Sequence, residues 1–273
     1  MANKILQYND VDIAYRVKGN GPVVVLIHGF GEDGSIWIFQ EEVLAKHFRL
    51  IIPDLPGSGK SPFLPMSDTA PSGIISTYAD IVKNIISKES AWHGVIAGHS
   101  MGGYIALAFA AKYGDMLAGL GLIHSTAFAD SEEKKDARSK GIAFIQKHGA
   151  QEFLKQSIPN LFGDTFKADH PQAVQDLIDS AANFSAQSLV QYYEAMKWRP
   201  DSIDVLKKIK KPVLFIIGEE DKSVYLQDSL SQCYFPELSL INILPHVAHM
   251  GMWEMKDYTN ATIVEFLNYC FDD

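Results

Sequence analysis

The chain has 273 residues, 47% of them hydrophobic, with a formal charge of −9. That is enough apolar material for a sizeable core in one large domain or two ordinary ones, while the acidic balance excludes a phosphate-backbone binder, which needs a basic stripe to displace counterions. Residues 1–20 hold no signal-like apolar stretch, and the longest apolar runs, such as residues 23–27, fall far short of the roughly 20 residues of a membrane span, so a cytoplasmic protein that binds neither nucleic acid nor membrane is expected.

Residues 5–8 and 11–17 flank Asn9-Asp10, which predicts an antiparallel hairpin. After the break at Gly21-Pro22, residues 23–27 form a β-branched run without polar alternation, the pattern of a strand covered on both faces of a parallel sheet. A helix is expected over 34–46, a strand over 49–53, a helix over 77–88, a strand over 94–97, a helix over 104–111 and a strand over 117–124. Such alternation favours a parallel sheet wrapped by helices on both faces. The rhythm stops after Ser125, and four helix-like blocks (131–147, 150–158, 171–184 and 186–198) predict an inserted helical subdomain over 127–199 between core segments 1–126 and 200–273. A strand at 212–218, a helix at 225–233, a strand at 238–244 and a helix at 257–271 complete the pattern. The two cysteines, Cys233 and Cys270, lack metal-ligand spacing and are expected to be reduced structural residues.

The stretch Gly98-His99-Ser100-Met101-Gly102-Gly103 falls between an expected strand and an expected helix. A Gly-x-Ser-x-Gly pentapeptide arises by chance in about one chain in ten of this size, so its partners must be sought elsewhere. An activated serine needs a histidine base and an orienting carboxylate, and in an open parallel sheet these gather beyond the carboxyl ends of strands. His246 and His249 follow the last expected strand, and Glu219, Glu220 and Asp221 follow the one before it. The order Ser100, Asp221, His249 is nucleophile, acid, base. The run His28-Gly29-Phe30-Gly31 ends the first apolar strand, and the backbone amides of Phe30 and Met101 are the candidate donors for an oxyanion. His28 precedes the serine in the chain and is expected to hold its loop by hydrogen bonding.

Through these motifs, Asp54-Leu55-Pro56-Gly57-Ser58-Gly59-Lys60-Ser61 and residues 218–221, the chain resembles the α/β-hydrolase-fold proteins of the capped, esterase- and lipase-like kind. The resemblance implies a mainly parallel eight-stranded sheet with a helical cap between strands six and seven, and it favours His249 as base because His-Met-x-Met-Trp-Glu is similar to the family's base loop. It further implies an ester hydrolase working through an acyl-enzyme on a small-molecule substrate, as a monomer or homodimer. Phe128, Phe144, Phe162, Tyr192, Tyr193 and Trp198 are then expected to roof an apolar acyl pocket, most of them as packing within the cap and few as substrate contacts. Carbon–carbon bond hydrolases of ring-fission diketones are similar, but many carry Asn where this chain has His99; a slow-turnover ligand-binding protein of the same fold is the third reading. Ser58-Gly59-Lys60-Ser61 does not complete a phosphate loop, since Asp54 stands where that pattern needs Gly. No metal and no cofactor are expected, because no His-Glu-x-x-His or similar spacing occurs.

Overall fold

The computed structural model describes residues 2–66 and 68–272. Eight strands, β1 (Ala2–Tyr8), β2 (Val11–Lys18), β3 (Val23–Ile27), β4 (Arg49–Pro53), β5 (Gly94–His99), β6 (Leu117–Ile123), β7 (Val213–Gly218) and β8 (Ser239–Leu244), form one sheet in the order β1-β2-β4-β3-β5-β6-β7-β8. The strands β3 to β8 pair in parallel and the first hairpin adds the antiparallel edge. Asn9 and Asp10 both turn through positive φ (47° and 63°), the backbone of a two-residue hairpin turn whose twist matches its strands.

The helices are α1 (Ile38–Leu44), α2 (Pro71–Lys88), α3 (Met101–Tyr113), α4 (Glu132–His148), α5 (Ala150–Ser157), α6 (Asp164–Asp169), α7 (Pro171–Ser180), α8 (Ala186–Trp198), α9 (Ile203–Lys208), α10 (Leu226–Gln232), α11 (Gly251–Glu254) and α12 (Lys256–Phe271). Every residue of β5, β6 and β7 is buried. The helices α2 and α3 pack together, as do α1, α11 and α12, so the sheet is a covered core layer. Only α2, at 18 residues, reaches the length of a membrane span, and no helix among the described residues is both long and apolar enough to cross one.

Two expected boundaries shift for local reasons. Residues 34–37 form a 3-10 turn capped by the Asp33 side chain, and the α-helix starts only at Ile38. Helix α2 begins at Pro71, six residues before the expected start, because proline's fixed φ and missing N–H suit a helix's first turn.

Helices α4 to α8 lie between β6 and β7. Where this insertion leaves and rejoins the core, its two ends are tied together: Ser202 N donates to Ala127 O at 2.8 Å, and Arg199 reaches Phe128 O at 2.7 Å and Asp130 Oδ1 at 2.6 Å. Arg138 of α4 closes on the same buried carboxylate. Tyr192 of α8 anchors the insertion on the core, donating to Pro56 O at 2.9 Å and meeting the Tyr78 ring edge-on.

Candidate active site

Strand β5 ends at His99 and α3 begins at Met101, leaving Ser100 alone on the turn with φ 51° and ψ −114°. A residue with a Cβ adopts such angles only where its surroundings impose them. The glycines show what imposes them here. A Cβ on Gly98 would stand 2.1 Å from the carbonyl of Gly102, one on Gly102 would stand 2.3 Å from Ile27 O, and one on Gly103 would stand 2.2 Å from Ser125 Oγ. The turn is locked by Ser100 N donating to Ile123 O at 2.9 Å and by Ser125 Oγ donating to Ser100 O at 2.7 Å.

Asp221 lies beyond the end of β7. Its Oδ1 accepts from Ser223 N (2.7 Å) and Val224 N (3.0 Å), and its Oδ2 receives the His249 Nδ1–H at 2.7 Å. Burial alone would raise the Asp221 carboxyl, but the charges of His249 and His124 and the hydrogen bond from His249 hold it well below the usual carboxylate range. The same partnership acts on His249, where burial would lower the imidazole and the Asp221 charge and hydrogen bond raise it above its ordinary value. With Nδ1 engaged, Nε2 is the basic nitrogen of His249. Ser100 and His249 line one cavity, and no hydrogen bond joins the Ser100 hydroxyl to the ring in this conformation.

The competing residues sit elsewhere. Glu219 accepts from His246 N at 3.1 Å and Glu220 lies 3.5 Å from the exposed His246 ring, so neither faces His249. His28 is buried; its Nδ1 donates to Gly29 O at 2.8 Å while Nε2 accepts from Leu55 N at 3.0 Å, tying two loops. The amides of Phe30 and Met101 donate to no protein acceptor among the described residues, and Met101 opens α3, whose dipole favours negative charge there.

The sequence profile of the alpha/beta hydrolase family matches residues 24–262. The chain belongs to this family. It is 27% identical over 267 residues to the 2-hydroxy-6-oxo-6-(2'-aminophenyl)hexa-2,4-dienoic acid hydrolase of Metapseudomonas resinovorans, covering 93% of this chain and 87% of that one. It is 26% identical over 219 residues to the 2-(acetamidomethylene)succinate hydrolase of Mesorhizobium japonicum, covering 78% and 76% of the two chains. Among solved structures, a thermophilic esterase from Thermogutta terrifontis superposes with a TM-score of 0.90 at 27% identity over 99% of both chains.

The cavity of this hydrolase holds about 630 Å³, within the range of small-molecule sites. Its wall includes the apolar Phe30, Leu154, Ile158, Leu161, Met196 and Val224 as well as Glu32, Glu133, Lys134, Arg138, Lys222 and Asp228. Most of the expected aromatic roof lies outside the cavity, as packing residues would. Of its six members only Tyr193 lines the cavity, stacked on Phe30 at 4.3 Å between ring centroids. Phe162 and Tyr192 are buried in the core, and Trp198 is 46% exposed. Aromatic residues mark a packed helical layer without telling which face they take.

Sequence reasoning passed over two buried groups. His124 directly follows β6, with its ring 5.7 Å from that of His249. Its Nε2 accepts from Gly251 N at 3.1 Å, and its Nδ1 lies 3.4 Å from Asp221 Oδ2 without meeting it in a hydrogen bond. Burial, despite the Asp221 charge, lowers it to about 4. Glu32 is the other, pairing with His99. The sole sequence signal for it is an acidic residue directly after the Gly29-Phe30-Gly31 turn. Among the described residues, His124, Asp221 and His249 are the one group whose donor atoms could surround a cation, lying within 4.8 Å of one another. Its shortest contact is a 2.7 Å hydrogen bond, which a cation would have to break.

Proposed function

We propose that this hydrolase cleaves carboxylic esters of small to medium acyl groups through an acyl-enzyme, with Ser100 as nucleophile, His249 as base and Asp221 as the group that orients and charges the base. The observation that carries the reading is a strained serine sharing one cavity with an imidazole already bonded to a buried carboxylate. His249 Nε2 takes the Ser100 proton as Oγ attacks the ester carbonyl; the amides of Phe30 and Met101 receive the oxyanion, and the imidazolium returns the proton to the leaving alkoxide. Water, deprotonated by the same nitrogen, then releases the acid and restores Ser100. Nucleophile–base contacts of this kind often tighten only when substrate binds.

In this reading residues 127–199 form a cap over a core of 1–126 and 200–273, and the acyl chain lies on the apolar wall from Phe30 to Leu154. The protein works in the cytoplasm as a monomer or homodimer. A p-nitrophenyl ester series from acetate to decanoate tests the proposal: chain-length-dependent turnover, abolished by an organophosphate that labels Ser100, supports it, and an active enzyme without label on Ser100 refutes it. A second reading, hydrolysis of a carbon–carbon bond in a diketone, is favoured by the Metapseudomonas relative. Turnover of a ring-fission diketone without turnover of esters would select it.

A further inference from the structure

Beneath the site lies a second carboxylate–imidazole pair that the mechanism above does not use. Glu32 is 4% exposed and His99 is fully buried. Glu32 Oε2 accepts from Gly29 N at 2.7 Å and stands 3.0 Å from His99 Nδ1, while His99 Nε2 stands 3.0 Å from the carbonyl oxygen of His249.

The protons can be counted from these contacts. A carbonyl oxygen only accepts, so His99 Nε2 carries a hydrogen. A carboxylate oxygen and a bare ring nitrogen repel each other, so a second proton lies between Nδ1 and Oε2. The pair therefore holds two protons, and the surroundings of Glu32 say on which side the second one rests. Burial would raise the Glu32 carboxyl, but the charge and hydrogen bond of His99 and the Gly29 N–H hold it below the usual carboxylate range.

We propose that Glu32 and His99 form a buried carboxylate–imidazolium pair, and that Glu32 is thereby a positioning residue fixing the backbone of His249 relative to Ser100. Two direct links and a third made through His99 reach three separate segments. Gly29 directly precedes the oxyanion candidate Phe30, His99 directly precedes Ser100, and the imidazolium holds the main chain of His249 itself. The nucleophile turn, the oxyanion loop and the base loop come from β5, β3 and the segment after β8, and among the described residues this carboxylate, with His99, spans all three. A glutamine at position 32 cannot keep all three links. With its oxygen toward Gly29 it leaves the imidazolium uncompensated, and with its nitrogen there it orphans the Gly29 N–H. The positioning role rests on the assignment of Ser100 and His249 proposed above; the ion pair does not.

The test uses the full chain labelled with 15N-histidine at about pH 8, where a free imidazole of pKa about 6.5 is neutral. The His99 resonances are identified by their loss in His99→Gln. Both His99 ring nitrogens are expected to show protonated shifts, and a singly protonated His99 overturns the pair. In Glu32→Gln the ring is expected to become singly protonated and kcat on p-nitrophenyl butyrate to fall by about 10- to 100-fold with KM nearly unchanged, the scale of an ångström-sized misplacement. An unchanged kcat per folded molecule overturns the positioning role. Should Glu32→Gln fail to fold, Glu32→Asp decides: it keeps the charge one methylene shorter, and it is expected to retain the doubly protonated ring with a lowered kcat, a full wild-type kcat overturning the role. A wild type with both protons on His99 but no ester turnover refutes the ester reading and the positioning role with it, and leaves the pair standing.

Discussion

Ser100 holds φ 51° and ψ −114°, which costs on the order of 1–3 kcal/mol for a residue with a Cβ, and the neighbouring glycines supply the room that keeps it there. The hydroxyl contributes nothing to the core, so Ser100→Ala is expected to lower kcat on the best p-nitrophenyl ester by about 10⁴-fold or more with an unchanged urea midpoint. Asp221 is the second residue whose role has a measurable sign. It keeps the His249 pKa above the ordinary imidazole value of 6.5, and a base in the role proposed for it must be unprotonated to act, so the acid limb of kcat/KM is expected above pH 6.5. Asp221→Asn removes the charge that opposes burial; the limb should move to lower pH while kcat drops by about 10⁴-fold, the size seen when an orienting aspartate is lost from such a triad. Glu219 and Glu220 face His246, so neither can stand in, and His249→Ala is expected to be similarly damaging.

Elements place these residues more tightly than any side-chain contact does. The β5–α3 turn works because two backbones pass within contact distance, and Gly102→Ala would set a Cβ 2.3 Å from Ile27 O. Since backbone cannot yield as a flexible side chain can, this variant is expected to lose about 3 kcal/mol or more in urea unfolding and to be inactive. The insertion depends on a charge cluster. Asp130 is buried between Arg138 and Arg199, and the two guanidiniums hold it below the usual carboxylate range against its burial, while Arg199 also donates to the Phe128 and Met196 carbonyls. Asp130→Ala leaves a buried cation uncompensated and is expected to cost about 3–5 kcal/mol, whereas Arg138→Ala, at the more open side of the pair, should cost less.

At the scale of the whole molecule, stability depends on pH through groups that titrate differently when folded. His124 is buried in its neutral form, with a folded pKa of about 4 against 6.5 for the free imidazole. The unfolded chain therefore binds the proton first, so the stability this group contributes is complete above pH 6.5 and is lost as pH falls through about 4, a swing on the order of 3 kcal/mol. Asp221, with a lowered pKa, is lost in a window below that, and His249, with a raised one, works in the opposite sense: its contribution is present below pH 6.5 and fades as pH rises through its folded value. Urea unfolding at pH 7 and about pH 4.5 checks the point. His124→Gln, which keeps an acceptor for Gly251 N, is expected to flatten the loss between those two values.

The eight strands and the tight turn at Ser100 were legible in the sequence because each rests on a local cause: β-branched runs that only a doubly covered strand can bury, and glycines at the few positions where backbones touch. The start of α2 at Pro71 and the 3-10 turn at 34–37 were not, since short-range caps settle helix ends. The sequence also could not say that Glu32 lies under His99, that His124 lies beside Asp221, or that charged side chains share the cavity wall with apolar ones. Those facts depend on which side chains from distant segments share a small dry volume, and that is decided only when the sheet is closed and the insertion is seated on it, because the energy of a buried charge is set by neighbours that are far away in the chain.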